Sequence, residues 1–378
     1  MFFMIFVNDV DGVTKIPEWI KHVDENADGL GFADTIFPAF LFIVGLSIPF
    51  ALNKRMQSGE NKSKIAWHII LRSFALIVMG FFHVNLESYN NDVALLSKPV
   101  WEILITVAFF LIWLDYKQPV NKTKQYVLQA TGIIILIVMA ILYKGEDRHG
   151  DVVGLKTHWW GILGLIGWAY LTCALVYLFA KGQLKILIPA LVLFLIYTTL
   201  NQTNALDAVS GILKYCWFLG GGSEISFIMS GIIISSVYKQ NLANNRRNFF
   251  MIMFVAAIVM LAFGFLIRPF GGISKIHGTP SWVGICTAIS IVVFALLIFI
   301  VDVKSKANLF NVIKPAGTST LTCYLIPYIL YSLLWILHIN YPVFLSEGIG
   351  GILRSFAVAF IVIFITRFLE KKNLRLKI

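Results

Sequence analysis

Four polar residues and a proline gather around the first apolar segments of this chain: Asn8, Lys21, His22, Asp34 and Pro38. Asn8 ends the run MFFMIFVN, and His22 precedes DGLGFADTIFPAFLFIVG, the mouth of a very apolar helix. An imidazole changes charge close to neutral pH and can act as general base or nucleophile. A carboxylate at Asp34 can orient that imidazole, or can sit in a first helical turn because an acid suits the helix dipole. An amide at Asn8 can be merely interfacial, or can donate to a developing oxyanion. Ionisable groups at the edge of the hydrocarbon are costly, so a functional reading is the first to test. A solvated loop histidine is the plainer alternative.

Further along, Arg72 lies about two turns inside a helix from its inner end. It either snorkels toward the inner interface or meets a cytosolic ligand phosphate. Glu224 follows Gly220, Gly221, Gly222 and Ser223, where irregular backbone is cheap, and can cap a helix or line a cavity. Lys275 and His277 lie in SKIHGTPSW, just before another apolar run, and serve either as membrane anchors or as ligand contacts. Cys173, Cys216, Cys286 and Cys323 lie in or beside apolar runs without paired metal spacing, as buried free cysteines do. No histidine pair has a zinc-type helical spacing, so no metal is expected. No nucleotide loop, nucleophile elbow or Cys-Xaa-Xaa-Cys motif is present.

The elements that must position these groups are membrane helices. Of the 378 residues, 58% are hydrophobic and 13% charged, with a mean hydropathy of +0.80. A soluble domain is about a quarter charged. Nucleic acid is excluded as a partner, because the net charge of +11 is spread over short loops rather than one patch. Spans of about 20 apolar residues are predicted to begin near Ala33, Ile65, Trp101, Tyr126, Trp159, Ile186, Gly222, Phe249, Trp282, Ser319 and Gly350. The expected fold is therefore all-α: a polytopic membrane bundle of eleven full spans plus a truncated first helix, forming one domain over residues 1–378. Met1–Val7 is about a third of a span, which predicts a native start some 10–20 residues upstream and a less stable 378-residue form. The opening run also lacks the basic segment and cleavage site of a signal peptide.

With the loop carrying His22 outside, the inner loops hold 20 Lys and Arg residues and the outer loops nine. Lys117 belongs to the inner set and Lys214 to the outer. This positive-inside bias puts the carboxyl terminus in the cytoplasm. Six of the seven histidines, all but His68, then fall at or near the outer side. Trp101, Trp159, Trp160 and Trp282 read as interfacial belt residues.

The pattern Phe6-Val7-Asn8, Lys21-His22 and Gly29 through Gly45 resembles the heparan-alpha-glucosaminide N-acetyltransferase family and its bacterial relatives. Ile65-Ala66-Trp67, Arg72-Ser73-Phe74, Lys275 to Trp282, Ile300 to Lys304 and Pro315 to Tyr324 look like later segments of that family. The likeness is strongest over residues 6–85 and 271–330. It implies an acetyl-CoA-dependent acyltransferase in a bacterial inner membrane, moving an acetyl group from cytosolic acetyl-CoA to an amino sugar or glycan on the outer side. By the family pattern His22 looks like the catalytic base or transient acetyl carrier, Asn8 its partner and Asp34 the helix-start acid. Arg72 is assigned to the coenzyme, and Glu224, Lys275 and His277 to the acceptor. The expected partners are the small acceptor and the lipid bilayer, and a homodimer is compatible with this reading. The family's cytosolic Arg-Ser-Xaa-Asp-type stretch ending in Arg-Gly, before the first helix, is absent here. From the residues alone, a proton-coupled transporter of a sugar or drug-like solute fits nearly as well, with His22 and Asp34 as its relay.

Overall fold

The computed structural model describes residues 1–116, 121–203, 205, 218–241 and 245–378. Cys216, Lys117 and Lys214 lie outside the described residues. The chain is an all-α polytopic membrane helix bundle. Its helices are α1 (Phe2–Val10), α2 (Phe32–Gln57), α3 (Lys62–Val84), α4 (Lys98–Trp113), α5 (Lys122–Leu142), α6 (Gly161–Ala180) and α7 (Leu184–Gln202). After these come α8 (Ser223–Asn241), α9 (Arg246–Ile267), α10 (Pro280–Ile298, continued by a π-turn Phe299–Val303), α11 (Thr320–Ile336) and α12 (Gly348–Lys371). A two-residue antiparallel ribbon, Gly145–Glu146 with Val152–Val153, decorates the loop after α5.

Each of the eleven expected span positions carries a helix, and among the described residues eight are long and apolar enough to cross a membrane. The others, α4, α8 and α11, have 16, 19 and 17 residues. For α8 the physical reason is clear. It is buried almost all round, so nothing requires it to be greasy. Its serines turn back on their own helix: Ser226, Ser230 and Ser236 each donate to the carbonyl four residues earlier at 2.8 Å. Ser235 donates across to Leu46 O, also at 2.8 Å. Small residues at such crossings allow close backbone contact. A Cβ at Gly231 would stand 2.1 Å from Phe42 O, and one at Gly45 would stand 2.0 Å from Ile228 O.

The chain divides into two compact units: Met1–Ile16, Ala75–Leu165 and Leu309–Ile378 form the first, Pro17–Phe74 and Ile166–Asn308 the second. In the second, α2 packs on α8 and α9 on α10, around Phe42, Ile234, Val237, Phe249, Met253 and Met260. In the first, α4 pairs with α5 and α1 with α12. Asp9 of α1 is buried there against Arg354 of α12.

Two of the four tryptophans expected at the interface are core residues instead. Trp101 and Trp282 are 0% and 1% exposed. Their indole N–H groups find backbone acceptors at Met139 O (3.0 Å) and Asp34 O (3.1 Å), so neither needs interfacial water. Trp159 is exposed and donates to Glu87. Cys173, Cys286 and Cys323 are free and buried.

Candidate active site

The site forms in the second unit, where the loop before α2 folds back over the start of that helix. Gly31 is the N-cap, and Asp34, three residues on, returns its carboxylate to the Gly31 N–H at 3.0 Å. This is the acid half of a capping box. The loop lies so close that a Cβ on Gly31 would stand 2.0 Å from Lys21 O. The backbone N–H of Val23 donates to the same carboxylate oxygen, Oδ2, at 3.1 Å. The other oxygen, Oδ1, lies 2.6 Å from His22 Nδ1. The two roles weighed for Asp34, helix-start acid and imidazole partner, are thus both filled, one by each oxygen.

Pro38 explains a further restraint. Proline has no N–H, so the carbonyl four residues earlier loses its helical partner. That carbonyl belongs to Asp34, and it accepts from Trp282 Nε1 of α10 at 3.1 Å. Phe227 of α8 meets the Trp282 ring edge-on at 5.0 Å. Asp34 is therefore fixed by its own helix cap, by the folded loop and by two neighbouring helices.

An ionised carboxylate only accepts, so Nδ1–H donates its hydrogen bond to Asp34 and Nε2 keeps the lone pair. The Asp34 side chain is 3% exposed and that of His22 is 30% exposed, so a buried carboxylate anchors a partly exposed imidazole. Lys275 brings its Nζ to 3.2 Å from Nδ1 and 3.3 Å from Nε2. Near-equal distances to the two nitrogens place the ammonium over the face of the imidazole ring.

A second loop, between α9 and α10, supplies Lys275 and is laced to the first. Asp28 accepts from Arg268 Nε at 2.9 Å and from the Ile273 N–H at 2.7 Å, while Gly29 N–H donates to Ile273 O at 3.2 Å. The Ile273 hydrogen bond, followed by the Arg268 guanidinium, holds the Asp28 carboxyl below the usual carboxylate range. His277 Nε2 lies 3.9 Å from Glu25 Oε1, another link between the loops.

Of the expected residues, the structure brings His22, Asp34 and Lys275 into one hydrogen-bonded group, with His277 on the adjoining loop. Glu224 accepts from Ser223 Oγ at 3.0 Å at the start of α8. A Cβ on Gly278 would stand 2.9 Å from that Ser223 hydroxyl, so Glu224 borders the same loop. Arg72 lies toward the other end of the unit. Its guanidinium sits 5.1 Å from the Tyr170 ring centroid, and its buried Nε has no hydrogen-bond partner. One turn earlier, His68 Nε2 accepts from Arg55 Nη2 at 3.1 Å. Helical rise from Asp34 to Arg55, less one turn, separates Arg72 from the imidazole pair by about 25 Å. Asn8 is exposed near the end of α1 in the other unit. Among the described residues there is no group of three or more His, Cys, Asp or Glu able to hold a metal.

One participant escaped the sequence reading: Asp28 pairs with residues 240 and 245 positions away, a separation no local pattern reveals. Outside the site, the buried Asp9 of the first unit was also missed; its one local signal was an acid inside a short apolar helix.

Over 82 residues the chain is 40% identical to the heparan-alpha-glucosaminide N-acetyltransferase of Mus musculus and 39% identical to that of Homo sapiens. The matched stretch is 22% of this chain and spans only 12% of each of those longer proteins. A family profile matches over residues 12–219, more than half of the chain and including His22, Asp34 and Arg72. By that match the chain belongs to the family described as a domain of unknown function, DUF5009.

Proposed function

We propose that this integral membrane protein is an acyltransferase, with residues 1–378 working as one transmembrane domain. It takes the acetyl group of cytosolic acetyl-CoA and delivers it to an amino sugar or glycan on the outer side of a bacterial inner membrane. The observation that carries the reading is the His22–Asp34 pair, 2.6 Å apart, with the carboxylate buried and the imidazole half open. The partial identity to two N-acetyltransferases supports the same class of chemistry.

In this reading Asp34 holds the Nδ1–H tautomer and stabilises positive charge on the ring, as the third group of a catalytic triad does. Nε2 then either removes a proton from the acceptor amine or hydroxyl, or attacks the thioester carbonyl and carries the acetyl group. Arg72, about 25 Å away by helical rise, is assigned to a coenzyme phosphate. That separation calls for an extended coenzyme whose thioester end reaches toward the outer loops. Lys275 and His277, on the loop beside His22, and Glu224, which borders that loop, are assigned to the acceptor. Asn8 is assigned as the partner of His22 by family resemblance, and its amide would serve as an oxyanion donor.

The test is purified protein in detergent, given labelled acetyl-CoA and glucosamine. Acetylated glucosamine formed without any ion gradient supports the enzyme. Gradient-driven uptake into vesicles with no modified product supports a proton-coupled transporter and overturns the proposal.

A further inference from the structure

The amine closest to the reactive imidazole belongs to the protein itself. Lys275 Nζ stands 3.2 and 3.3 Å from the two ring nitrogens of His22. Nε2, the nitrogen that would carry the acetyl group or take the proton, is thus 3.3 Å away, about the separation of a near-attack arrangement. The placement is built rather than accidental. The Lys275 loop is held by Ser274 and Thr279, which exchange hydrogen bonds at 3.0 and 3.1 Å. It is also tied to the His22 loop through Asp28, Arg268 and Ile273. A nucleophile fixed at near-attack distance reacts as though present at very high concentration, an advantage of up to about 10⁵–10⁸ M in effective molarity.

We infer that Lys275 is a self-acetylation site: without an external acceptor, the acetyl group delivered at His22 passes to the Lys275 ε-amine. This rests on the acyltransferase reading above. In the carrier form, His22 Nε2 attacks the thioester carbonyl, the C–S bond breaks and coenzyme A leaves as thiolate. The Lys275 ammonium gives one proton to that thiolate. Its free amine then attacks the acetyl-imidazole carbonyl, the C–Nε2 bond breaks and a second proton goes to solvent. The net change is acetyl-CoA plus lysine ammonium giving acetyl-lysine, coenzyme A thiol and one proton. In the base form, the same atoms balance with Nε2 taking the amine proton during direct attack on the thioester. The product replaces an ammonium beside His22 with a neutral amide. A cell short of acceptor would therefore accumulate enzyme with an altered site.

Peptide mass spectrometry tests this on the intact purified protein after incubation with acetyl-CoA, with and without glucosamine. The expected result is an acetyl mass increment on Lys275 that grows with time, falls at least tenfold when glucosamine is present, and is lost in His22→Ala. The outer lysines Lys98 and Lys156 serve as internal controls. If glucosamine is acetylated while Lys275 stays unmodified, this inference fails and the acyltransferase reading stands. If Lys275 is labelled no faster than Lys98 and Lys156, or equally in His22→Ala, the labelling is chemical and the inference fails. If neither glucosamine nor Lys275 is acetylated, both readings fall.

Discussion

Each unit of this protein buries a carboxylate at the foot of a helix pair, and the two are finished differently. In the first unit, Asp9 has both oxygens committed. Arg354 reaches Oδ1 at 2.9 Å through Nη2, Ser355 Oγ reaches the same oxygen at 2.6 Å, and Tyr331 Oη reaches Oδ2 at 2.5 Å. The Arg354 side chain is 12% exposed, and its guanidinium lies 4.6 Å from the Tyr341 ring centroid. In the second unit, Asp34 is as deeply buried and as fully bonded, but its partner is an imidazole, 30% exposed, with a second nitrogen to offer. An arginine keeps its charge at any accessible pH, so the first cluster is closed. A histidine can change protonation and make bonds, so the second is open. Burial of a carboxylate therefore does not distinguish structure from site. On the acyltransferase reading, what distinguishes them is whether the partner offers a second atom that can react.

Substitutions can break this comparison. After His22 itself, the largest effect is expected at Asp34. Asp34→Asn should lower turnover about 10²- to 10⁴-fold, because the amide can hold the wrong tautomer. Steady-state acetyl transfer measures it, and a near-normal rate would reduce Asp34 to a helix cap. Asn8→Ala should lower turnover about 10²- to 10³-fold, as loss of one oxyanion donor does. Melting should hardly change, since Asn8 is exposed. A loss of fold without loss of turnover per folded molecule would contradict that role.

Asp9→Ala strands Arg354 in the first unit. Removing one partner of a buried ion pair costs about 3–5 kcal/mol, so thermal unfolding in detergent should fall sharply while each folded molecule turns over. If Asp9→Ala keeps its stability and loses its activity, the roles of the two clusters are reversed.

The smallest effect concerns the loop clasp. The Asp28 carboxyl is held below its ordinary range by the Ile273 N–H and then by Arg268. A depressed folded value stabilises the native loops above the unfolded value, and this is lost as pH falls through the folded one. Hydrogen exchange of residues 21–31 should thus rise only below about pH 4, the ordinary carboxylate value. The exposed pair offers little energy, and Asp28→Asn should remove the pH step.

Legibility followed the range of the interactions. Helix positions were readable because apolar length is local, and all eleven starts carry helices. His22 and Asp34 were readable because they are close in sequence on one loop and helix start. Burial of Trp101 and Trp282 was not, because it depends on acceptors 38 and 248 residues away. The low apolarity of α8 is a consequence of its central position, where serine and glycine serve packing. Asp9 was passed over for Asn8 beside it, since the rotation of about 100° between neighbouring helix residues decides which of the two points inward. Arg72 was found as an anomaly, but its Tyr170 contact and its distance from His22 needed the packed helices.

The most direct measurement compares wild type and His22→Ala for single-turnover transfer of labelled acetyl from acetyl-CoA to glucosamine, with thermal unfolding recorded on the same samples. The account predicts matching unfolding curves and a rate at least about 10²-fold lower in the variant. Near-equal rates in two equally folded proteins would contradict it and move the chemistry away from this imidazole.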